Sequence, residues 1–139
     1  MKVTYIHHSG FLVETNRFYY LFDYESGELP TLDIDKSIYV LSSRSHGDHY
    51  NPDIFNILNK LEMKHIKAVL SDDIETPKNV DTLHVSANQC YELAMNLKLT
   101  TYKSTDLGVA FLIEEDGTLI YHVGDLNDWV NQQFCKMYV

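Results

Sequence analysis

The stretch SSRSHGDHYNP, residues 42–52, decides how this chain folds, because it places His46, Asp48 and His49 directly after an apolar run. That run, SIYVLS at residues 37–42, is short, apolar on both faces and typical of a strand buried inside a sheet. Such a strand fixes the base of the following loop, so the loop can carry reactive side chains. Imidazole and carboxylate groups suit zinc, iron or manganese. The alternative is a polar turn with two chance histidines.

The segment after this loop predicts a helix and a second buried strand. Asn51 is a candidate helix N-cap and Pro52 a candidate first helical residue, and apolar residues recur at helical spacing to about residue 63. The run KAVL, residues 67–70, then predicts a strand. Strand, loop, helix and strand in this order indicate a βαβ crossover.

Period-two patterns predict the remaining strands. Before the motif they cover residues 2–6, 11–15 and 17–23, with the last two forming a hairpin around Asn16. After it they cover residues 82–85, 90–94, 97–102, 109–115 and 118–123, and Asp116-Gly117 is typical of a tight hairpin turn. Residues 126–138 have weak helical character.

Composition limits the classes of function. The 139 residues contain no linker or repeat, so we expect one domain over residues 1–139. The net charge is −9 with 11 scattered basic residues, which argues against a nucleic-acid partner. No apolar run approaches the roughly 20 residues of a membrane span, and the amino terminus lacks the apolar core of a secretion signal. We therefore expect a cytoplasmic protein without a membrane partner.

Three motifs in order resemble the metallo-β-lactamase superfamily. SSRSHGDHYNP resembles its H-x-H-x-D-H signature, with Arg44 at the first histidine position. HVGDLN, residues 122–127, resembles the strand end that carries a metal-bridging aspartate, here Asp125. The opening HHSGFLVE from His7, followed by LFDY with Asp23, is similar to the subgroup of small metal-dependent hydrolases. The resemblance covers nearly the whole chain.

This resemblance implies an α/β (α+β) fold, the αββα sandwich, in which two mixed sheets pack face to face, each outer face carries helices, and the metal site lies at one edge. It implies His46, Asp48, His49 and Asp125 as metal ligands, with Asp48 and His49 as the catalytic residues.

The chain departs from the family pattern at three points. Arg44 replaces the first histidine. No histidine occurs in YKSTDLG, residues 102–108, where the middle ligand is expected, although Asp106 offers an oxygen donor there. The chain also ends fourteen residues after Asp125, so the last ligand of the family lies beyond Val139. The C-terminal half of the sandwich is expected to be incomplete, and because bare sheet edges are normally covered, we expect self-association through this half.

Arg44 has two interpretations. Arginine is permanently charged and has no lone pair, so Arg44 cannot ligate a metal. Its guanidinium can instead fork onto a carboxylate such as Asp48 or Asp125 and substitute for the first metal. The alternative is that Arg44 points to solvent and the site binds metal poorly.

His7, His8 and Asp23 are the other candidates for the cleft. Strand alternation predicts that one of the two adjacent histidines faces the core side and the other faces away, and a structural role for them competes with a cleft role. Asp23 resembles a family aspartate that supports the motif loop from behind the ligands, a role common at metal sites; a plain strand-end aspartate is the alternative.

Two functions follow. The first is a metal-dependent hydrolase acting on an unidentified small-molecule ester, amide or phosphoester, with one zinc ion, or manganese, iron or no metal in its place. The second is a catalytically inactive remnant or binding module that keeps the fold, with Arg44 replacing a metal.

Overall fold

The computed structural model describes residues 1–104, 107–124 and 137–138, which form two β-sheets and one helix in that part of the chain. The first sheet has six strands in sequential order: β1 (Lys2–His7), β2 (Gly10–Glu14), β3 (Phe18–Phe22), β4 (Ser37–Ser42), β5 (Ile66–Ser71) and β6 (Asp81–Val85). Strands β1, β2 and β3 pair antiparallel, whereas β3, β4, β5 and β6 pair parallel.

The second sheet is antiparallel and has five described strands. They are β7 (Cys90–Ala94), β8 (Leu97–Lys103), β9 (Val109–Glu115), β10 (Thr118–His122) and β11 (Met137–Tyr138), in the spatial order β11-β10-β9-β8-β7. Asp116 and Gly117 both have positive φ, of 47° and 85°, as a tight turn between β9 and β10 requires. The strands up to β10 confirm the predictions to within one or two residues. The predicted helical character of residues 126–138 falls on residues outside the description, apart from the short β11.

Alternation along the central strands builds two apolar cores. In β3, Tyr20 and Phe22 face the second sheet, while Tyr19 and Leu21 face the opposite side. The β4 and β5 strands follow the same rule, so each contributes one row of side chains to the layer between the sheets and one to the outer layer. A strand buried on both faces must be apolar throughout, which explains why SIYVLS is a continuous apolar run.

The helix α1 (Ile54–Lys60) covers the outer face of the six-stranded sheet through its buried residues Ile54, Phe55 and Leu58. It completes the predicted β4-α1-β5 crossover between parallel strands. It is shorter than the predicted range of 52–63. Of the two helix layers expected for the sandwich, the described part of the chain contains this one.

The start of α1 corrects the predicted N-cap. Asp53, not Asn51, occupies the N-cap position. The Oδ1 atom of Asn51 accepts a hydrogen bond from the backbone N–H of Asp53 at 3.0 Å, which forms an Asx turn before the helix. Both geometries favour asparagine followed by proline, so the sequence alone does not separate them. Among the described residues, no helix is long and apolar enough to span a membrane.

Candidate metal centre

The motif loop begins where β4 ends, beside the end of its parallel neighbour β3. Parallel strands end at the same edge of a sheet, so Asp23, which directly follows β3, lies against the first residues of the loop. The backbone N–H of Asp23 donates to the carbonyl of Leu41 at 2.8 Å. Topology therefore brings a carboxylate from one strand to the base of a loop carried by the next.

Asp23 is fully buried and organises this edge through three hydrogen bonds. Its Oδ1 accepts from the Ser43 backbone N–H at 2.7 Å, and its Oδ2 accepts from the Ser43 hydroxyl at 2.7 Å and from Nδ1 of His49 at 2.8 Å. A buried carboxylate is stable only when its oxygens are satisfied in this way. These contacts agree with the supporting role that the resemblance implies for Asp23.

The bond to Asp23 sets the orientation of His49, which is itself buried. A carboxylate can only accept, so the proton of the imidazole lies on Nδ1, as assigned from the hydrogen-bond partners. The Nε2 atom is then the lone-pair side of the ring, and it lies 3.5 Å from Oδ2 of Asp48. This carboxylate–histidine arrangement is the one that commonly supports a metal-ligating histidine.

The spacing of Asp48 and His49 fits two ligands of one ion. Bonds of about 2.0–2.1 Å at a tetrahedral angle place nitrogen and oxygen ligands about 3.3 Å apart, close to the observed 3.5 Å. The Asp48 side chain is 64% exposed, whereas that of His49 is 3% exposed. The pair therefore joins a fixed, buried candidate ligand to one that faces solvent.

Arg44 is buried, with 3% of its surface exposed, so the interpretation that it points to solvent is wrong. Its Nη2 lies 3.0 Å from Nδ1 and 3.4 Å from Nε2 of His46. Arginine only donates, so the imidazole accepts, and a neutral imidazole has a single lone pair. Arg44 therefore places its positive charge beside the ring of His46. A cation held by His46 would lie close to this charge and be repelled by it.

The expected fork of Arg44 onto Asp48 does not form: within the described part of the chain, the ion-pair partner of Asp48 is His49. The other carboxylates proposed for this region, Asp106 and Asp125, lie outside the described residues.

Two glycines allow the start of the motif loop to pack closely against the second sheet. Neither of them was identified from the sequence. A Cβ built on Gly108 would lie 2.0 Å from the carbonyl oxygen of Ser43, and one built on Gly124 would lie 2.6 Å from the carbonyl oxygen of Val109. The close approach lets Val109 N–H donate to the Ser43 carbonyl at 2.9 Å. Single glycines in turns give little sequence signal for such packing.

His122 is fully buried inside the sheet. Its Nε2–H donates to the Ser9 carbonyl at 2.9 Å, its ring stacks on Phe22 with centroids 4.9 Å apart, and its Nδ1 accepts from Gly124 N–H at 3.3 Å. Burial lowers the pKa of His122 and outweighs the opposite effect of the nearby Asp23 carboxylate. His122 is a neutral structural residue.

His7 and His8 lie on the same side of the chain, contrary to the predicted alternation. Both are exposed, and their ring centroids are 4.3 Å apart. Alternation fails because β1 ends at His7 and the next residue, His8, has a left-handed φ of 49°. Both imidazoles approach Glu25, a residue that sequence analysis missed because it lies in a polar loop with no recognisable motif.

Comparison with known proteins supports the fold. Residues 2–137 match the model of the beta-lactamase superfamily domain. The structure resembles Igni18, a metallo hydrolase from Ignicoccus hospitalis, with a TM-score of 0.67 and 20% identity, covering 93% of this chain and 62% of that one. It also resembles a provisionally named metal-dependent hydrolase from Parabacteroides distasonis, with a TM-score of 0.64 and 14% identity, covering 89% of this chain and 60% of the other.

The chain thus spans about three fifths of the length of each of these two structures. No protein with a curated description matches the sequence. The structural likeness supports the fold alone, whereas the family match extends over nearly the whole chain. On that match, the chain belongs to the family of the beta-lactamase superfamily domain.

Proposed function

We propose that this protein is a metal-dependent hydrolase with a single-metal site, in which His49 and Asp48 are the principal ligands. His46 and Asp125 are the further candidate ligands. The observation that carries the proposal is the hydrogen bond between Asp23 and His49, which directs Nε2 of His49 toward the carboxylate of Asp48 at 3.5 Å. A purely structural histidine would not need its second nitrogen to face a solvent-exposed carboxylate.

The donor set supports zinc, with manganese or iron as alternatives, because imidazole and carboxylate suit all three. An ion bound there would polarise a carbonyl or phosphoryl oxygen of the substrate and make water a better nucleophile. The protein's own contribution is to orient His49 through Asp23 and to present Asp48 at the surface. Asp48 is exposed enough to reach substrate or to take a proton from water.

Metal content and turnover test the proposal. The purified chain, loaded with zinc or manganese, should hydrolyse a generic ester or phosphodiester, and Asp48→Ala should abolish this turnover while leaving the protein folded, because Asp48 is exposed. The matched control is Asp81→Ala, which removes a similarly exposed carboxylate, 73% accessible, at the start of β6 and outside the motif loop. Turnover that survives in Asp48→Ala would contradict the proposal.

A second candidate function is a non-catalytic binding module, and the burial of Arg44 beside His46 favours it. The buried guanidinium beside His46 would then substitute for the first metal as a fixed positive charge. On this hypothesis the chain shows no turnover with any added metal, and Arg44→His alone does not create any.

The substrate class of the proposed enzyme is a small-molecule ester, amide or phosphoester. A cytoplasmic location and self-association through the C-terminal half remain predictions from the sequence. Sedimentation velocity checks the second: a dimer is expected, and a single monomeric species over a wide concentration range would contradict it.

A further inference from the structure

A second group of potential metal ligands lies at the turn between β1 and β2. One ring nitrogen of His7, one of His8 and a carboxylate oxygen of Glu25 all lie within 4.8 Å of one another. We name these three residues the amino-terminal cluster. It shares no ligand with the motif loop, so it requires its own explanation.

The backbone brings the two imidazoles together in an unusual way. Adjacent residues of a strand normally project to opposite faces. Here the pairing of β1 with β2 shifts register between Tyr5 and His7, and His8 adopts a φ of 49°, a conformation that few residues other than glycine adopt. As a result, both rings project to the same side, where their planes are inclined at 67°.

Glu25 comes from a different segment and is held in place by its surroundings. Its backbone carbonyl accepts from Nδ2 of Asn51 at 2.9 Å, and the hydroxyl of the neighbouring Tyr24 donates to the carbonyl of Gly27 at 2.8 Å. The Ser26 hydroxyl donates to Oε1 of Glu25. The carboxylate is therefore positioned, although its side chain remains 16% exposed and can be reached from solvent.

The electrostatics of Glu25 suit a cation ligand. Burial raises its pKa, but the hydrogen bond from Ser26 and the contact with His7 outweigh that effect and hold the pKa below its usual value. The carboxylate is thus ionised at neutral pH. Its Oε1 contacts Nδ1 of His7 directly and lies 3.9 Å from Nε2 of His8. An ion bound between them would displace the proton that Nδ1 of His7 donates to this carboxylate, and the proton of the imidazole would then lie on Nε2.

We propose that His7, His8 and Glu25 form a binding site for one divalent transition-metal ion of the zinc type. Two imidazoles and one carboxylate are a donor set that zinc and its first-row neighbours accept, with the remaining positions open to water or to a ligand. Ca²⁺ and Mg²⁺ prefer oxygen ligands and are excluded as the main occupants. The site shares no ligand with the motif loop and does not rest on the hydrolase proposal.

Zinc titration by calorimetry tests the site in full-length protein. His49→Gln removes the buried ligand of the motif loop, and this variant should still bind one zinc ion. Adding His8→Gln and Glu25→Gln should weaken that binding by about 100-fold or more, since two of three ligands are lost. Adding His65→Gln instead, at an exposed histidine outside the cluster, should leave it unchanged. Equal binding by the His8→Gln/Glu25→Gln variant and its parent would overturn the proposal.

A second measurement covers the case in which His49→Gln does not fold. In the wild type, Co²⁺ should broaden the imidazole NMR signals of both His7 and His8, and it should not broaden them in Glu25→Gln at the same concentration. Broadening of other histidines alone, with His7 and His8 unchanged, would also overturn the site. Failure of the hydrolase proposal leaves both results intact, because neither experiment depends on turnover.

Discussion

The motif loop and the amino-terminal cluster present similar donors in opposite settings. In the motif loop, His49 is buried and its Nδ1–H donates a hydrogen bond to the fully buried Asp23. In the amino-terminal cluster, the side chains of His7 and His8 are 52% and 59% exposed, and the carboxylate contacts the imidazoles directly. The fold orients the candidate ligand His49 through a buried hydrogen bond, whereas the amino-terminal cluster is assembled from more exposed side chains. Substitutions that disturb the motif loop should therefore lower the free energy of unfolding, and substitutions in the amino-terminal cluster should hardly change it.

Asp23→Asn should have the largest effect. The amide nitrogen would face either the Ser43 backbone N–H, at the Oδ1 position, or the Ser43 hydroxyl and Nδ1–H of His49, at the Oδ2 position. In either orientation one buried N–H donor loses its acceptor, and in the second orientation the bond that orients His49 is lost. We expect the free energy of unfolding to fall by about 1–3 kcal/mol and metal affinity at the motif loop to fall by about 10- to 100-fold. Denaturant unfolding and zinc titration measure the two effects.

Asp81→Asn is the control for Asp23→Asn, since the Asp81 carboxylate is 73% exposed and lies 3.9 Å from Nζ of Lys67. The amino-terminal cluster should bind zinc equally in both variants. If Asp23→Asn changed neither the zinc affinity of the motif loop nor the free energy of unfolding, Asp23 would be a plain strand-end residue without a supporting role.

Arg44→His should have the next largest effect, by increasing metal affinity at the motif loop. A unit charge about 4 Å from a second one contributes about 4 kcal/mol at an effective dielectric of 20, before desolvation, and Arg44 opposes a cation by such an interaction. The substitution removes that charge and adds a lone pair. We expect at least about tenfold tighter zinc binding.

Arg44→Met separates the two contributions, because it removes the charge without adding a ligand. Both variants should be measured with His8→Gln and Glu25→Gln also present, so that an ion in the amino-terminal cluster is not counted. The reference is the His8→Gln/Glu25→Gln protein that retains Arg44. If its motif loop bound two ions per chain, Arg44 would not substitute for a metal.

The difference between the two regions also explains what could be predicted from sequence. The strand β4 and the crossover through α1 were predicted because a strand buried on both faces must be apolar throughout. The role of Asp23 was suggested only by resemblance, because residues 23 and 49 are brought together by parallel pairing. No local pattern encodes that contact.

Errors arose where a local conformation broke a regular pattern. Because His8 has a left-handed φ, its side chain lies on the same side as that of His7 and not on the opposite side. Because Asn51 forms an Asx turn, the helix begins at Ile54 and not at Pro52. Glu25 was missed because its position depends on how its loop packs against Asn51. Arg44 could be recognised as an anomaly in the motif, but its burial beside His46 depends on the second sheet, which the motif does not contain.

The pH dependence of stability should distinguish a buried imidazole from the exposed ones. Burial lowers the pKa of His122 in the folded protein, whereas an unfolded histidine titrates near 6.5. Unfolding therefore takes up a proton below about pH 6.5, and stability should fall with decreasing pH by at most about 1.4 kcal/mol per pH unit from this residue. His122→Gln should flatten that slope in denaturant titrations, and His65→Gln should not. An unchanged slope in His122→Gln would assign the acid sensitivity to another group.

Glu25→Gln should have the smallest effect on stability, although it removes a ligand. Its side chain is 16% exposed, and the hydrogen bonds that hold its loop, from the Asn51 side chain to the Glu25 carbonyl and from the Tyr24 hydroxyl to the Gly27 carbonyl, do not involve the carboxylate. With metal removed by a chelator, the free energy of unfolding should change by no more than about 0.5 kcal/mol. With zinc at a hundredfold excess over its dissociation constant, wild type should gain about 2.7 kcal/mol that the variant lacks. A large loss of stability in the chelated variant would mean that the carboxylate is structural, like Asp23, and that the two regions do not differ in the way proposed.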